Sequence, residues 1–146
     1  MIKNSRFYIY LGLSCLFSLM IAVVGENVVK ANPILNEQGR IEESDAKLED
    51  GSFYDLYTFP GEAGQRVRIR LESEDFDPYL VLFNSQGEKL ADADDISPED
   101  WNAELEYLLP EDGVYQVIVN SYNPEGRGEY NLVIYLDPET SIHQPQ

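Results

Sequence analysis

Residues 64–95, GQRVRIRLESEDFDPYLVLFNSQGEKLADADD, constrain the fold more than any other stretch, because two unlike strand patterns meet there across a short connection. From Arg66 to Glu72 charged and aliphatic residues alternate, so a period of two turns Val67, Ile69 and Leu71 inward and Arg66, Arg68 and Arg70 outward. From Tyr79 to Phe83 every residue is apolar or aromatic, the pattern of a strand covered on both faces. Together they specify β-sandwich core with an acidic rim at Asp92, Asp94 and Asp95.

The first 31 residues stand apart. Lys3 and Arg6 precede an apolar run of 18 residues from Phe7 to Val24, and small Ala31 closes the polar stretch after it. This is the layout of a secretory signal peptide, with an uncleaved anchor as the alternative that the length of the run leaves open. Cys15, the only cysteine, falls inside the run, and Gly12 stands where a lipoprotein signal needs a large aliphatic residue. The mature chain from Asn32 therefore has neither disulfides nor thiol chemistry. It carries 7 basic and 26 acidic residues, a formal charge of −19, which excludes nucleic acid and anionic membrane surfaces as partners and favours cations.

Residues 32–50, with Pro33, Gly39 and many carboxylates, read as an acidic linker holding one short edge strand near Ile41. Strand signals then recur every 8 to 12 residues or so: Phe53–Phe59, Gln65–Ser73, Pro78–Asn84, Lys89–Ala93, Ala103–Leu109, Gly113–Ser121 and Gly128–Leu136. Proline, glycine and asparagine turns separate them, as in Pro110-Glu111-Asp112-Gly113. The expectation is an all-β antiparallel sandwich, jelly-roll-like, of seven to eight strands over residues 51–137, with a polar tail over 138–146. The last two strands are expected to form a hairpin. Tyr115, just after the Asp112-Gly113 turn, is placed as a tyrosine corner bonding to upstream backbone.

Several motifs in this order, Asp50-Gly-Ser-Phe-Tyr-Asp-Leu-Tyr-Thr-Phe, Ala63-Gly-Gln-Arg-Val, Leu71-Glu-Ser-Glu-Asp-Phe-Asp-Pro-Tyr-Leu, Ala93-Asp-Asp and two Gly-x-Tyr strands, resemble the bacterial pre-peptidase C-terminal domain, related to the collagen-binding domains of clostridial collagenases. The resemblance covers about Leu48 to Leu136. It implies a jelly-roll-like sandwich of secreted proteins, often behind a peptidase domain and here standing alone. In the collagenase relatives such a domain binds calcium and a protein fibre through N-terminal acidic residues and an Asp-x-Asp-x-Tyr strand entry. Asp55 and Tyr57 match that entry, whereas Phe53 replaces its first aspartate.

A second acidic group follows from strand pairing. With Phe83 opposite Glu88, Tyr79 faces Asp92 and Asp77 faces Asp94; a shift of one residue sets Asp77 against Asp95. Facing carboxylates repel, so Asp77, Asp92, Asp94 and Asp95 are either splayed into solvent, paired with bases, or neutralised by a hard cation such as calcium. The segment is not an EF-hand, since Ile96 occupies a ligand position and the required glycine is missing. Arg66, Arg68 and Arg70 are expected to be screened by Glu104 and Glu106 on a neighbouring strand rather than to hold an anion. Trp101 follows a loop signal, Ser97-Pro98-Glu99-Asp100, and is the candidate ligand-binding aromatic, with anchoring of the loop onto the core as its other role.

Catalysis has little to work with. The single histidine, His143, lies in the polar tail, so hydroxyl and thiol nucleophiles lack a folded base. The expected function is a secreted or periplasmic binding module for an extracellular protein or a polysaccharide, with calcium as a possible stabiliser. Its rivals are an accessory for secretion or folding of a separately encoded protease, and a glycosidase using paired carboxylates.

Overall fold

The computed structural model describes residues 32–137. The signal-peptide and anchor readings of residues 1–31, and the tail with His143, fall outside the described residues. Ten strands and no helix make up the described chain: β1 Leu35–Ile41, β2 Ala46–Lys47, β3 Phe53–Gly61, β4 Arg66–Glu72, β5 Pro78–Phe83, β6 Lys89–Ala93, β7 Asp95–Ser97, β8 Asp100–Leu108, β9 Gly113–Ser121 and β10 Gly128–Asp137. They form two antiparallel five-stranded sheets, β1-β10-β4-β8-β7 and β2-β3-β9-β5-β6, facing each other across one core.

The alternation in β4 does what its period demands. Val67, Ile69 and Leu71 are fully buried and meet Leu80 and Leu82 of β5 and Val117 and Val119 of β9 from the other sheet. Each such side chain contributes about 1.5–3 kcal/mol by leaving water. Tyr115 closes one end of the core as a tyrosine corner: it is fully buried, stacks on Phe59, and donates its hydroxyl hydrogen to the Glu111 carbonyl at 2.6 Å.

Four features differ from the sequence expectation. First, β9 and β10 are not a hairpin, because β9 lies between β3 and β5 while β10 lies between β1 and β4 in the opposite sheet. The turn over residues 122–127 carries the chain across the sandwich, so both strands present their aliphatic sides to the core from opposite layers. Second, the segment expected as a linker supplies β1, paired with β10 along seven positions from Leu35↔Ile134 to Ile41↔Gly128, and the two-residue β2. Third, β7 is a further short strand that pairs with β8 and brings the strand number above seven to eight. Fourth, a bulge between Leu82 and Phe83 shifts the β5–β6 register: Phe83 pairs with Lys89 rather than Glu88, and Val81 faces Asp92.

Candidate functional site: one acidic end and the face beside it

The registers gather four connections at one end of the sandwich. Ile41 pairs with Gly128, Leu71 with Ala103 and Pro78 with Ser121, so the β1–β3 segment and the β4–β5, β6–β8 and β9–β10 connections lie together. Glu42, Glu43, Asp45, Glu49 and Asp50 come from the first, Glu74, Asp75 and Asp77 from the second, and Asp94, Asp95, Glu99 and Asp100 from the third. Lys47 and Arg127 are the bases among them, and both lie over the Phe53 ring. Much of the chain's negative charge is thereby concentrated at this end.

The four aspartates singled out by pairing arguments do not share one environment. Asp92 accepts a hydrogen bond from the Tyr79 hydroxyl and pairs with Lys89 at 3.1 Å. Those contacts, the hydroxyl first, hold its carboxyl below the usual range, while the same bond pushes Tyr79 up to about 12. Asp77 moves the other way: partial burial raises its pKa, and the negative charges of Asp95 and Asp94 raise it further. Its Oδ1 is buried without a hydrogen-bond partner. The oxygens suit calcium in kind, but in number they fall short, since among the described residues no three acidic, histidine or cysteine side chains come together as a metal-holding group.

The second aspartate-tyrosine motif closes the sandwich rather than opening it. Tyr130 of β10 reaches across the core and donates to Asp55 of β3, and its hydroxyl is 2.7 Å from that of Tyr57. Burial is the main cause raising the Asp55 pKa, with Asp45 and Glu42 adding to it. Gly39 of β1 lies directly against the Tyr130 hydroxyl, where a Cβ would overlap it. The Asp55 and Tyr57 match is thus an inter-sheet clamp here, and Gly39 is a residue that no sequence period marked.

The two outer faces are chemically unlike. On the first sheet Arg68 pairs across strands with Glu106 and Arg70 with Glu104, as the alternating charges implied. Arg70 is held by Glu72 at 2.7 Å, Glu104 at 3.2 Å and Asp100 at 3.7 Å, and Arg68 lies over the Tyr135 ring. A shallow polar cleft between β1, β10 and β4 is lined by Gln38, Arg40, Glu72, Asn102, Glu129 and Asn131.

On the second sheet an apolar row runs through the middle of the outer face. Leu56, Ile118 and Val81 are consecutive cross-strand partners, flanked by a row of Tyr54, Asn120 and Tyr79 and a row of Thr58, Gln116 and Phe83. Val81 is only 8% exposed and yet lies outside the main core cluster, because its face neighbours crowd around it. Leu56 is 52% and Val114 54% exposed on the same face. The two-sided pattern of Tyr79–Phe83 is therefore met on one side by the core and, among the described residues, by no covering layer on the other. Tyr122, 61% exposed, packs edge-on to Tyr79 and links this face to the acidic end.

Trp101 also sits at the acidic end, 66% exposed, with its indole nitrogen 3.4 Å from the Pro98 carbonyl. It does not plug the core. Sequence reasoning named Trp101 and the aspartates but missed the Leu56, Ile118 and Val114 face, whose only signal was the excess of apolar residues at outward positions of β3, β5 and β9.

The sandwich resembles solved structures that share little sequence with it. The pre-peptidase C-terminal domain of a collagenase from Bacillus anthracis aligns with a TM-score of 0.51 at 19% identity, covering 68% of this chain and 87% of that one. PliG of Aeromonas hydrophila, a periplasmic inhibitor of g-type lysozyme, aligns with a TM-score of 0.54 at 17% identity over 74% of this chain and 89% of its own. PliG of Salmonella Typhimurium gives 0.50 at 23% identity over 70% and 86%. No curated protein matches the sequence. The model of the bacterial pre-peptidase C-terminal domain matches residues 53–121, from the start of β3 to the end of β9. Residues 53–121 thus match the bacterial pre-peptidase C-terminal domain, and the two-sheet architecture agrees with that fold.

Proposed function

We propose that this domain is an exported, non-catalytic module that binds a protein, and that the outer face of β3, β9 and β5 is its contact surface. The observation that carries this is the apolar outer row Leu56, Ile118 and Val81, with Leu56 and the nearby Val114 more than half exposed and no layer over them among the described residues. Contiguous apolar surface of this kind marks partner sites more often than it marks plain solvent-facing sheet. A polysaccharide would have to rely on the flanking Tyr54, Tyr79, Thr58 and Gln116, since the aliphatic centre itself offers sugars no hydrogen bonds. The solved neighbours support the same direction: one is an appended domain of a collagenase and two are inhibitors of another protein. A separately encoded protease is one partner such a face would suit.

Site-specific photocrosslinking tests the reading. A crosslinker at position 118 should yield a protein adduct among exported proteins, and one at position 104 on the opposite sheet should not. Equal adducts from both faces, or none from either, would remove the surface from consideration.

A second reading, favoured by the orphaned Asp77 Oδ1 between Asp94 and Asp95, gives calcium a weak stabilising role at that end. With so few side-chain ligands, its dissociation constant belongs in the range of about 0.1–1 mM typical of extracellular modules. At a few millimolar calcium this amounts to about 1–2 kcal/mol, so the melting temperature should rise by roughly 4 degrees or more, more than with the same ionic strength of magnesium. An equal response to the two ions assigns the effect to screening.

A further inference from the structure

We infer that the partner docked on the outer face of β3, β9 and β5 is a cationic protein segment, one that presents apolar side chains flanked by lysine or arginine. This rests on the binding-surface reading above and names the chemistry of what that surface receives. The apolar row runs from Leu56 through Ile118 to Val81 and ends on Asp92, its next cross-strand partner. By register, Asp77 precedes β5 and Asp94 follows β6 at one margin of the face, and Glu88 precedes β6 and Asp112 precedes β9 at the other. Lys89 is the nearby base, and it is already paired with Asp92.

An apolar centre rimmed by charge of one sign selects a partner of the opposite sign, since like-charged candidates meet repulsion before any apolar contact forms. That condition disfavours a second copy of this chain. Two copies, each with a formal charge of −17, would bring carboxylates of one margin against carboxylates of the other in any two-fold pairing of this face. Anionic lipid is excluded by the same sign. A purely polar cation, by contrast, would have no use for the Leu56–Ile118–Val81 row.

Two model peptides separate these possibilities: an amphipathic lysine/leucine peptide and its glutamate/leucine counterpart, titrated into the exported chain at about 0.15 M salt while amide shifts are followed. The lysine/leucine peptide should shift Leu56, Val81 and Ile118 and bind at least tenfold more tightly than the glutamate/leucine peptide. Leu56→Asp should reduce that binding by tenfold or more, and Leu56→Ala, milder for the fold, by a smaller factor; Glu104→Gln on the other sheet should leave it unchanged.

Shifts confined to the acidic end and indifferent to Leu56 would reduce the effect to bulk charge and overturn the inference. Equal binding of both peptides would do the same, as would concentration-dependent dimerisation in sedimentation experiments through these residues. If neither peptide binds while the crosslink from position 118 persists, the surface stands and the cationic partner is wrong. If that crosslink is absent as well, the surface itself fails.

Discussion

At the scale of single residues, Gly39 matters more than any charged group in its strand. It does not adopt a left-handed conformation; its role is purely steric, because Tyr130 fills the space a Cβ would need. Gly39→Ala should destabilise the fold by about 1–3 kcal/mol, the usual cost of overpacking, as measured by urea unfolding. A change within error would mean that Tyr130 moves aside freely and that the clamp to Asp55 and Tyr57 is optional. Asp77 gives a pH-dependent case. Its folded-state pKa is raised, so protonation stabilises the native state; this contribution is complete below the unfolded value of about 3.9 and is lost as pH rises through the folded value. Asp50 and Asp92, whose values are lowered, act in the opposite sense. Comparison with Asp77→Asn isolates the one group: the variant's melting temperature should gain on the wild type as pH rises from about 4 through the raised folded-state value. A constant difference across that window would show that Asp77 titrates normally.

At the scale of elements, legibility followed how completely each strand kept its period. The strands β4, β5, β6, β9 and β10 matched their expected spans to within a residue, and Glu104 and Glu106, expected to screen the arginines from a neighbouring strand, stand opposite Arg70 and Arg68. The strand β1 was read short because its alternate positions carry Leu35, Glu37, Gly39 and Ile41, and the middle two break the apolar alternation, Gly39 leaving the space that Tyr130 fills. The β9–β10 crossing was misread as a hairpin because Asn123-Pro124-Glu125-Gly126 reverses a chain equally well within a sheet or between two. The bulge at Leu82/Phe83 had no sequence mark, and it moved Asp92 of β6 relative to β5. If β1 belongs to the core rather than decorating it, Ile41→Ala should cost about 2–4 kcal/mol in equilibrium unfolding. A cost below about 1 kcal/mol would return residues 32–41 to the status of a linker.

At the scale of the whole molecule, composition made the charge visible but not its placement, which depends on four connections from two sheets meeting at one end. The fold holds this end together against its own repulsion, with Arg70 among three carboxylates and Arg127 and Lys47 over Phe53 as local relief. Self-repulsion of that kind weakens the compact state and is screened by salt, with a Debye length that falls from about 30 Å at 0.01 M to about 3 Å at 1 M. Raising sodium chloride from about 0.02 to 0.5 M should therefore stabilise the domain by about 1 kcal/mol, equivalent to roughly 4–8 degrees in melting temperature for a domain of this size. The sharper comparison is with a variant neutralised only at exposed loop positions of the acidic end, Glu74→Gln with Glu99→Gln and Glu125→Gln. It should start with a higher melting temperature in low salt and gain less from added salt, so that the two curves converge. Parallel curves would mean that the repulsion is spread evenly over the surface, and the electrostatic selection of a cationic partner would then lose its local source.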